Sequence, residues 1–234
     1  MFLLRLAPMT ESSTSHRTTG RKRVSILISG RGSNMMSLVE AARAPDYPAE
    51  IVSVISNRPD AAGLIWAAAR GIPAVALDHK EYATRTAFEA KLHGTLMEAG
   101  TDLIACAGFM RMLTGGFIDR WRDRQLNIHP SLLPAFPGLD THARAIEAGV
   151  RMAGCTVHFM RLEMDTGPIV GQAAVPVLSG DTPDELAARV LAAEHRLYPA
   201  ALALVASGRA VVRDEKVYIS EDVNPSQALF SPTL

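Results

Sequence analysis

The segment Asn127–Pro134 (Asn-Ile-His-Pro-Ser-Leu-Leu-Pro) holds the residues best suited to acid–base chemistry. A histidine can donate or accept a proton near neutral pH, and an asparagine amide can donate a hydrogen bond to a developing oxyanion. Asn127 and His129 are two residues apart, so their side chains project on the same face of an extended strand. The pattern is compatible with an acid–base site. Taken alone, however, this segment favours a structural histidine in a loop stiffened by prolines.

A carboxylate that could support this histidine lies in the segment Glu163–Pro168 (Glu-Met-Asp-Thr-Gly-Pro). A carboxylate at Asp165 close to His129 would raise the pKa of the histidine. The same residues also form ordinary turns, because aspartate caps its own backbone and glycine permits a positive φ. The catalytic interpretation therefore requires that Asp165 and His129 meet in the fold.

A third candidate is the glycine-containing loop Gly30–Asn34 (Gly-Arg-Gly-Ser-Asn), which joins a predicted strand to a predicted helix. Gly30 and Gly32 would let backbone amides approach a ligand, and the helix offers its positive N-terminal end to a phosphate. The loop is neither a full dinucleotide fingerprint nor a P-loop with its lysine. Taken alone, it is equally consistent with a phosphate site and with a tight turn that binds no ligand.

Three further positions have weaker claims. His142 either lines the same cleft or sits in the first turn of a helix, and His158 is expected to be a hydrogen-bonded core histidine. Glu194 shares a helix with His195, and a solvated helix face explains both side chains.

Short apolar runs alternate with helical patterns before these segments, and together they predict the fold. The predicted strands are Val24–Ser29, Ile51–Ser56, Pro73–Leu77 and Leu103–Ala107, and the predicted helices follow Asn34 and cover Ala61–Arg70 and Arg85–Glu98. This alternation predicts an α/β, Rossmann-like fold, a mostly parallel twisted sheet with helices on both faces. Asn127–Pro134 would lie just past a strand end, where open α/β sheets bind ligands.

The second half of the chain predicts a less regular set of elements. Strands are predicted at Leu126–Ile128, Cys155–Met160 and Ile169–Leu178, helices at Thr141–Gly149 and Asp184–Ser207, and a terminal hairpin at Ala210–Arg213 and Lys216–Ile219. Cys155–Met160 alternates in polarity as a half-buried strand does. Pro199 is expected to kink or break the long helix.

The amino-acid composition limits the classes of partner and of site that the chain is expected to have. Lys and Arg total 24, as do Asp and Glu, so the net charge argues against nucleic acid or an acidic membrane as a partner. Cys106 and Cys155 lie in apolar runs and are expected to be buried free thiols in a reducing cytoplasm. Their spacing from histidines fits no metal site. No apolar run reaches the roughly 20 residues of a spanning helix.

Residues 1–20 are polar after a short apolar patch and are predicted to be a disordered extension, in which Met9 is an alternative start to Met1. One domain is expected over residues 21–220, followed by a loose tail over 221–234.

From about Arg23 to Ile219 the chain resembles the phosphoribosylglycinamide formyltransferase family. The resemblance rests on LISGRGSN at 27–34, AGFMRML at 107–113, NIHPSLLPAFPGLDTH at 127–142, VHF at 157–159 and MDTGP at 164–168. The Asn-x-His-x-Ser-Leu-Leu-Pro core is shared with other folate-dependent formyltransferases and with formyltetrahydrofolate hydrolases. Pro130, the Pro-Gly-Leu-x-Thr-His run and the Gly-Ser-Asn loop narrow the choice.

The resemblance implies transfer of a formyl group from 10-formyltetrahydrofolate, a co-substrate, to the amine of glycinamide ribonucleotide in purine biosynthesis, without a metal. His129 would be the general acid and base, Asn127 the oxyanion donor and Asp165 the support of the histidine. The implied nucleotide contacts are Gly32, Ser33, Asn34 and Glu194. The implied folate contacts are Arg85, Met110, Arg111, Met112, Leu113, Arg161 and Met164, with residues 161–165 forming a closing loop. Thr156 and His158 would line the site.

The chain departs from the family pattern at Leu191, where a polar residue is usual, and at Asp140, often histidine. The alternatives are a formyltetrahydrofolate hydrolase and a non-catalytic nucleotide-binding module. A tRNA formyltransferase would need a further RNA-binding domain, and a dehydrogenase the full glycine fingerprint. The chain is expected to act as a monomer or a homodimer.

Overall fold

The structure is a computed structural model that describes residues 20–220. The predictions made for residues 1–19, for the tail over 221–234 and for the start at Met1 or Met9 lie outside the described residues. The strands are β1 Lys22–Ile28, β2 Ala49–Ser56, β3 Ala74–Ala76, β4 Leu103–Cys106, β5 Gln125–His129, β6 Met152–Phe159, β7 Ile169–Pro176, β8 Ala210–Arg213 and β9 Lys216–Ile219. The helices are α1 Ser33–Ala41, α2 Ala62–Ala68, α3 Arg85–Glu98, α4 Gly115–Arg120, α5 Thr141–Glu147 and α6 Pro183–Ala206, with a short 3-10 turn at His79–Glu81.

Seven of these strands form one sheet in the order β3-β2-β1-β4-β5-β6-β7. The pairs β2–β3, β1–β2, β1–β4 and β4–β5 are parallel, whereas β5–β6 and β6–β7 are antiparallel. The predicted α/β fold with a mostly parallel sheet is therefore confirmed. The chain reverses its direction of travel across the sheet between β1 and β4, and the carboxyl ends of the parallel strands open there into the crevice that binds ligands in such sheets.

Alternating side chains of the central strands enter two cores on opposite faces of the sheet. In β1, Val24, Ile26 and Ile28 pack into one core, and Leu27 packs into the other. The first core includes residues of α1, α2 and α6, and the second includes residues of α3 and α4. Burial on both faces explains why the strands read as continuous apolar runs.

Strand β6 corrects one prediction. It is buried from Ala153 to Phe159, although alternating polarity in this segment predicts a half-buried strand. The proline-rich loop after β5 packs against it, since the Thr156 hydroxyl donates to the Ser131 carbonyl at 2.7 Å and accepts from the Leu133 amide at 3.1 Å. The polar side chains of β6 are thus paired inside the protein.

Helix α6 is continuous from Pro183 to Ala206, so it does not break at Pro199. It begins at Pro183, one residue before the predicted start, and Thr182 and Glu185 form a capping box there. Tyr198 and Leu202 are fully buried on either side of the proline. Their packing offsets the roughly 3 kcal/mol that an interior proline costs a helix.

Two shorter elements differ in how the sequence signals them. Helix α4 was not predicted, because it begins with Gly115 and Gly116 and is six residues long. The terminal hairpin was predicted, and Asp214 and Glu215 make its turn with φ of 49° and 56°.

Cys106 and Cys155 are buried free thiols, as expected. Within residues 20–220 no helix is long and apolar enough to cross a membrane. The same part of the chain contains no group of three or more His, Cys, Asp or Glu residues able to hold a metal ion.

Candidate active site

Asn127 and His129 both lie in β5, at the carboxyl edge of the sheet. The strand is longer than predicted by one residue at each end. Strand β6 runs beside them, with His158 opposite Asn127 and Thr156 opposite His129. The imidazole of His129 is 7% exposed, so it is shielded from bulk water but reaches the surface of the crevice. Its Nε2 lies 3.1 Å from the Phe136 carbonyl, an acceptor, and so Nε2 carries the hydrogen of this bond.

Asp165 meets His129, as the catalytic interpretation requires. Its Oδ2 lies 3.5 Å from Nδ1 of His129 and accepts a hydrogen bond of 2.9 Å from the Gly138 amide. Its Oδ1 lies 3.9 Å from Nε2 of His158. Asp165 has a φ of 58°, a conformation that aspartate tolerates better than most residues. A carboxylate in this position can fix the orientation of the imidazole.

His158 is a buried, hydrogen-bonded histidine, as expected, and it also orients Asn127. Burial lowers its pKa, against the opposing effects of its hydrogen bond to Phe159 and of the Asp165 charge. Nδ1 of this neutral ring donates to the Phe159 carbonyl at 3.0 Å, which leaves Nε2 as an acceptor. Nδ2 of Asn127 lies 3.4 Å from that Nε2. The Asn127 amide therefore has one hydrogen directed at His158 and a second one for another partner.

The loop Gly30–Asn34 leads directly into the first turn of α1. Gly32 has a φ of 74° and immediately precedes α1, whose first amides have no partner within the helix. Helix α2 packs closely behind the loop, since the Gly63 amide donates to the Gly30 carbonyl at 3.1 Å. A Cβ at Gly63 would lie 2.4 Å from Cδ1 of Ile28 and 3.1 Å from the Gly30 carbonyl oxygen, so a side chain there would displace Ile28 and crowd the loop.

Glu194 joins the loop Gly30–Asn34 to α6 and corrects the prediction of a solvated helix face. It is 5% exposed, and its Oε2 accepts a hydrogen bond of 2.6 Å from Nδ2 of Asn34. Burial raises the pKa of the Glu194 carboxyl, and the Asn34 amide partly opposes this. His195 is half-buried, and burial lowers its pKa. Oδ1 of Asn34 is buried without a hydrogen-bond partner among the described residues.

Exposed apolar side chains occur on two loops near the crevice, which is unusual for a protein surface unless it binds something. The loop after β4 exposes Met110 (75%) and Met112 (48%), while Leu113 is buried in the core. The loop after β6 exposes Leu162 and Met164. These loops are neighbours, because a Cβ at Gly115 would lie 3.6 Å from Leu162 and one at Gly138 would lie 4.0 Å from the Met164 sulfur.

The arginines expected to contact folate have different environments. Arg85 is exposed in the first turn of α3. Phe88 lies one turn further along this helix, and the Arg111 guanidinium lies 5.1 Å from the centre of its ring. Arg161 is 11% exposed, and its guanidinium contacts Asp123 and Glu215. The structure therefore brings Asn127, His129 and Asp165 together, while it directs the Arg161 side chain towards two acids.

Two backbone groups at the site carry no sequence signal. The Phe136 carbonyl binds His129 from a residue with φ of 52°, a conformation that is rare for an aromatic residue. The Gly138 amide binds Asp165, and only the adjacent proline and glycine indicated a turn there. His142, a candidate for the same cleft, is half-buried in α5, and burial and then the charge of His129 lower its pKa.

Known proteins share this architecture. Residues 22–202 match the family described as Formyl transferase. The trifunctional purine biosynthetic protein adenosine-3 of Gallus gallus is 50% identical over 190 residues, which are 81% of this chain and 19% of that protein. Phosphoribosylglycinamide formyltransferase of Haemophilus influenzae is 39% identical over 87% of this chain and 96% of that protein. The crystal structure of glycinamide ribonucleotide transformylase 1 from Symbiobacterium toebii has a TM-score of 0.83 and 45% identity, covering 90% of this chain and 99% of that one. The chain thus spans about a fifth of the length of the trifunctional relative.

Proposed function

Because the chain belongs to the formyl transferase family, we propose that it transfers the formyl group of 10-formyltetrahydrofolate to the amine of glycinamide ribonucleotide. The observation that carries the proposal is the contact of Asp165 with His129, 3.5 Å apart and beside Asn127 in the same crevice. A protein that only binds nucleotides has no need of this trio. Both substrates are small molecules, and the free thiols fit a reducing cytoplasm.

The two substrates would bind on either side of the trio. The amides of Gly32, Ser33 and Asn34 would hold the nucleotide phosphate at the start of α1. Glu194, linked to Asn34, would accept hydrogen bonds from the nucleotide. The folate would lie against the exposed methionines 110, 112 and 164, with the backbone at Leu113 and the cations Arg85 and Arg111 nearby.

In the proposed reaction, the neutral amine attacks the formyl carbon and forms a new C–N bond. The carbonyl electron pair moves to the formyl oxygen, where the protonated His129 and the Asn127 amide would meet the negative charge. One such donor is typically worth about 3–4 kcal/mol in the transition state. A proton then passes from the new ammonium to N10 of the folate, and the C–N10 bond breaks. The products are the formylated nucleotide and tetrahydrofolate, so atoms and charges balance.

The hydrogen bond from Nε2 of His129 to the Phe136 carbonyl gives this step a specific starting point. The substrate oxygen would compete with that carbonyl for the same proton. Asp165 contacts the opposite nitrogen, Nδ1, and would stabilise the positive ring while its other side binds the oxyanion.

The experiment that tests the proposal follows loss of 10-formyltetrahydrofolate by absorbance, with and without glycinamide ribonucleotide. Turnover that appears only with the nucleotide supports the transferase and identifies its acceptor. Turnover without it would make the protein a hydrolase that passes the formyl group to water. A His129→Asn variant, which keeps a polar group but cannot be protonated, should abolish turnover in either case. No turnover of the parent protein under both conditions would refute the proposal.

A further inference from the structure

Arg161 begins the loop that carries Asp165, and its guanidinium is fully engaged with protein groups. Its Nε lies 2.6 Å from Oε2 of Glu215, and one Nη lies 2.7 Å from Oδ1 of Asp123. The other Nη donates to the Met160 carbonyl at 2.9 Å. The side chain is 11% exposed, so two carboxylates surround a cation that is largely removed from water. Such a fork fixes direction as well as position.

The two carboxylates come from elements that are distant in sequence. Asp123 lies in the turn between α4 and β5, and Glu215 lies in the turn of the β8–β9 hairpin. Both have positive φ, 55° and 56°, and a hydrogen bond of 2.5 Å from Arg122 also holds Glu215. The hairpin is itself anchored, because Ala210 is buried in the core next to α6. Arg161 is thus tied to two parts of the molecule that do not touch the reacting groups.

The far end of the same loop is fixed by backbone packing. The Phe159 amide donates to the Pro168 carbonyl at 2.9 Å. A Cβ at Gly167 would lie 1.7 Å from the Phe159 carbonyl oxygen, so the loop returns too closely for any other residue. Between these two ends, Asp165 turns inward to His129 while Leu162 and Met164 are exposed. The loop is therefore held at Arg161 by ion pairs and at its far end by main-chain contacts.

We propose that Arg161, held by Asp123 and Glu215, is a positioning residue that sets the loop so that Asp165 faces His129. The proposal rests on the function proposed above. It gives the Arg161 side chain a different role from the folate contact expected from the sequence. The hairpin becomes part of the catalytic architecture, although its residues lie outside the substrate contacts proposed above.

The test combines three variants, Arg161→Gln, the pair Asp123→Asn with Glu215→Gln, and all three changes together. Asn and Gln keep the shapes of the acids at their positive-φ turn positions and remove their charges. Asp119→Asn is the matched control, because Asp119 lies 3.8 Å from Arg122 and makes no contact with Arg161. We expect the first two variants to lower kcat about tenfold with little change in the KM for folate, since small misplacements of a catalytic group are costly. The triple variant should lower kcat no more than either of the first two variants does, because each variant removes the same pairing of Arg161 with its two carboxylates.

Hydrogen exchange of the amides over residues 161–167 tests the anchor without reference to the reaction. We expect these amides to exchange faster in the first two variants than in the parent and in Asp119→Asn. Unchanged exchange would overturn the inference even if the chain has another activity. A raised KM for folate in Arg161→Gln alone would also overturn it, because that result assigns the guanidinium to the substrate. Faster exchange with an unchanged kcat would overturn the catalytic role of the anchor.

Discussion

Asp165 is the residue whose chemistry can be isolated most cleanly. Its carboxylate contacts Nδ1 of His129 and accepts the Gly138 amide through the same oxygen. The change Asp165→Asn keeps an oxygen for the Gly138 amide and the preference for positive φ, but removes the charge. We expect turnover to fall by about two to four orders of magnitude, as for other losses of a group that orients and charges a histidine, while substrate binding is largely retained.

Steady-state kinetics and equilibrium binding of the nucleotide measure the two halves of this prediction. Asp214→Asn is the matched control, because Asp214 also has a positive φ, of 49°, and its carboxylate, unlike those of Asp123 and Glu215, does not bind Arg161. Near-normal turnover of Asp165→Asn would remove Asp165 from the mechanism. Equal losses of turnover in both variants would instead indicate a general effect of the substitution on the fold.

Glu194 predicts a dependence on pH. Burial raises the pKa of its carboxyl, so the folded protein holds the proton more tightly than the unfolded chain does. A raised folded-state pKa means that stability falls as pH rises from about 4.3, the unfolded value, through the folded value. The change Glu194→Gln removes this cost and keeps an acceptor for Asn34. We therefore expect the variant to be more stable than the parent at pH 8, with a smaller difference at pH 5.

The same variant should bind the nucleotide less well, with a KM raised about tenfold, because hydrogen bonds to a charged group are stronger than those to an amide. Thermal denaturation across the pH range and the KM for the nucleotide provide the two measurements. Stability that is insensitive to the substitution at every pH would contradict the burial argument. An unchanged KM would exclude Glu194 from nucleotide binding.

For individual residues, the sequence predicts the chemistry of a side chain better than its burial and contacts in the fold. Asn127, His129 and Asp165 stood out by residue type and spacing, and they do lie together. Glu194 was expected on a solvated face, because its hydrogen-bond partner, Asn34, lies 160 positions away. The Phe136 carbonyl could not be expected at all, since any residue supplies a carbonyl and only the local φ directs it.

Strand β6 offers a test of how the elements hold the site. It carries Thr156 and His158 and lies so close to β7 that a Cβ at Gly154 would be 1.9 Å from the Ala173 carbonyl. Gly154→Ala must push the strands apart, which we expect to cost about 1–3 kcal/mol of stability and to lower activity. Gly94→Ala is the control, because nothing lies within 4 Å of a Cβ there and α3 surrounds it. That change should stabilise by about 0.5–1 kcal/mol.

Urea unfolding gives both free energies, and turnover shows whether the β6 residues moved. A Gly154→Ala protein as stable as the parent would mean that β6 and β7 can separate without cost. Destabilisation by Gly94→Ala would show that α3 is packed more tightly than the spacing around Gly94 indicates.

Local sequence signals are accurate where they are strong, and they fail where long-range packing decides. Arg85–Glu98 was predicted with its observed bounds, because apolar spacing and a terminal glycine agree there. The break expected at Pro199 does not occur, since the buried Tyr198 and Leu202 hold the helix from outside. Helix α4 has two glycines and no periodicity, and its start is fixed by Glu89 on another helix, which accepts the Thr114 amide at 2.7 Å.

For the molecule as a whole, strand–helix alternation was sufficient to predict a mostly parallel sheet. It was not sufficient to predict the two antiparallel strands at one side, β6 and β7, whose pairing depends on contacts between distant segments. Those strands provide His158 and the ends of the loop that carries Asp165. The parallel half contributes Asn127, His129 and the loop Gly30–Asn34. The proposed domain over residues 21–220 therefore requires that both halves unfold together.

The two cysteines report on this cooperativity, because they lie in different cores. Cys106 packs with α3 and α4 behind the parallel strands, and Cys155 packs with α5 and α6 beside β6 and β7. Burial raises the pKa of each thiol to about 12, so neither reacts with a thiol reagent until its surroundings open. Cys155→Ala leaves only the first reporter, and Cys106→Ala leaves only the second.

Labelling of the remaining thiol by an aromatic disulfide reagent gives the free energy of the opening that exposes it. In each variant, we expect this free energy to equal the free energy of unfolding measured in urea. Comparing each variant with itself removes the modest destabilisation that the loss of a buried sulfur causes. Equality at both sites would mean that the halves open only together, as one cooperative unit. If Cys155 instead reacts through an opening that costs clearly less than global unfolding, the antiparallel half is a separate unit. The site would then lie on a boundary that opens in the native state, and Asp165 would separate from His129 whenever it did.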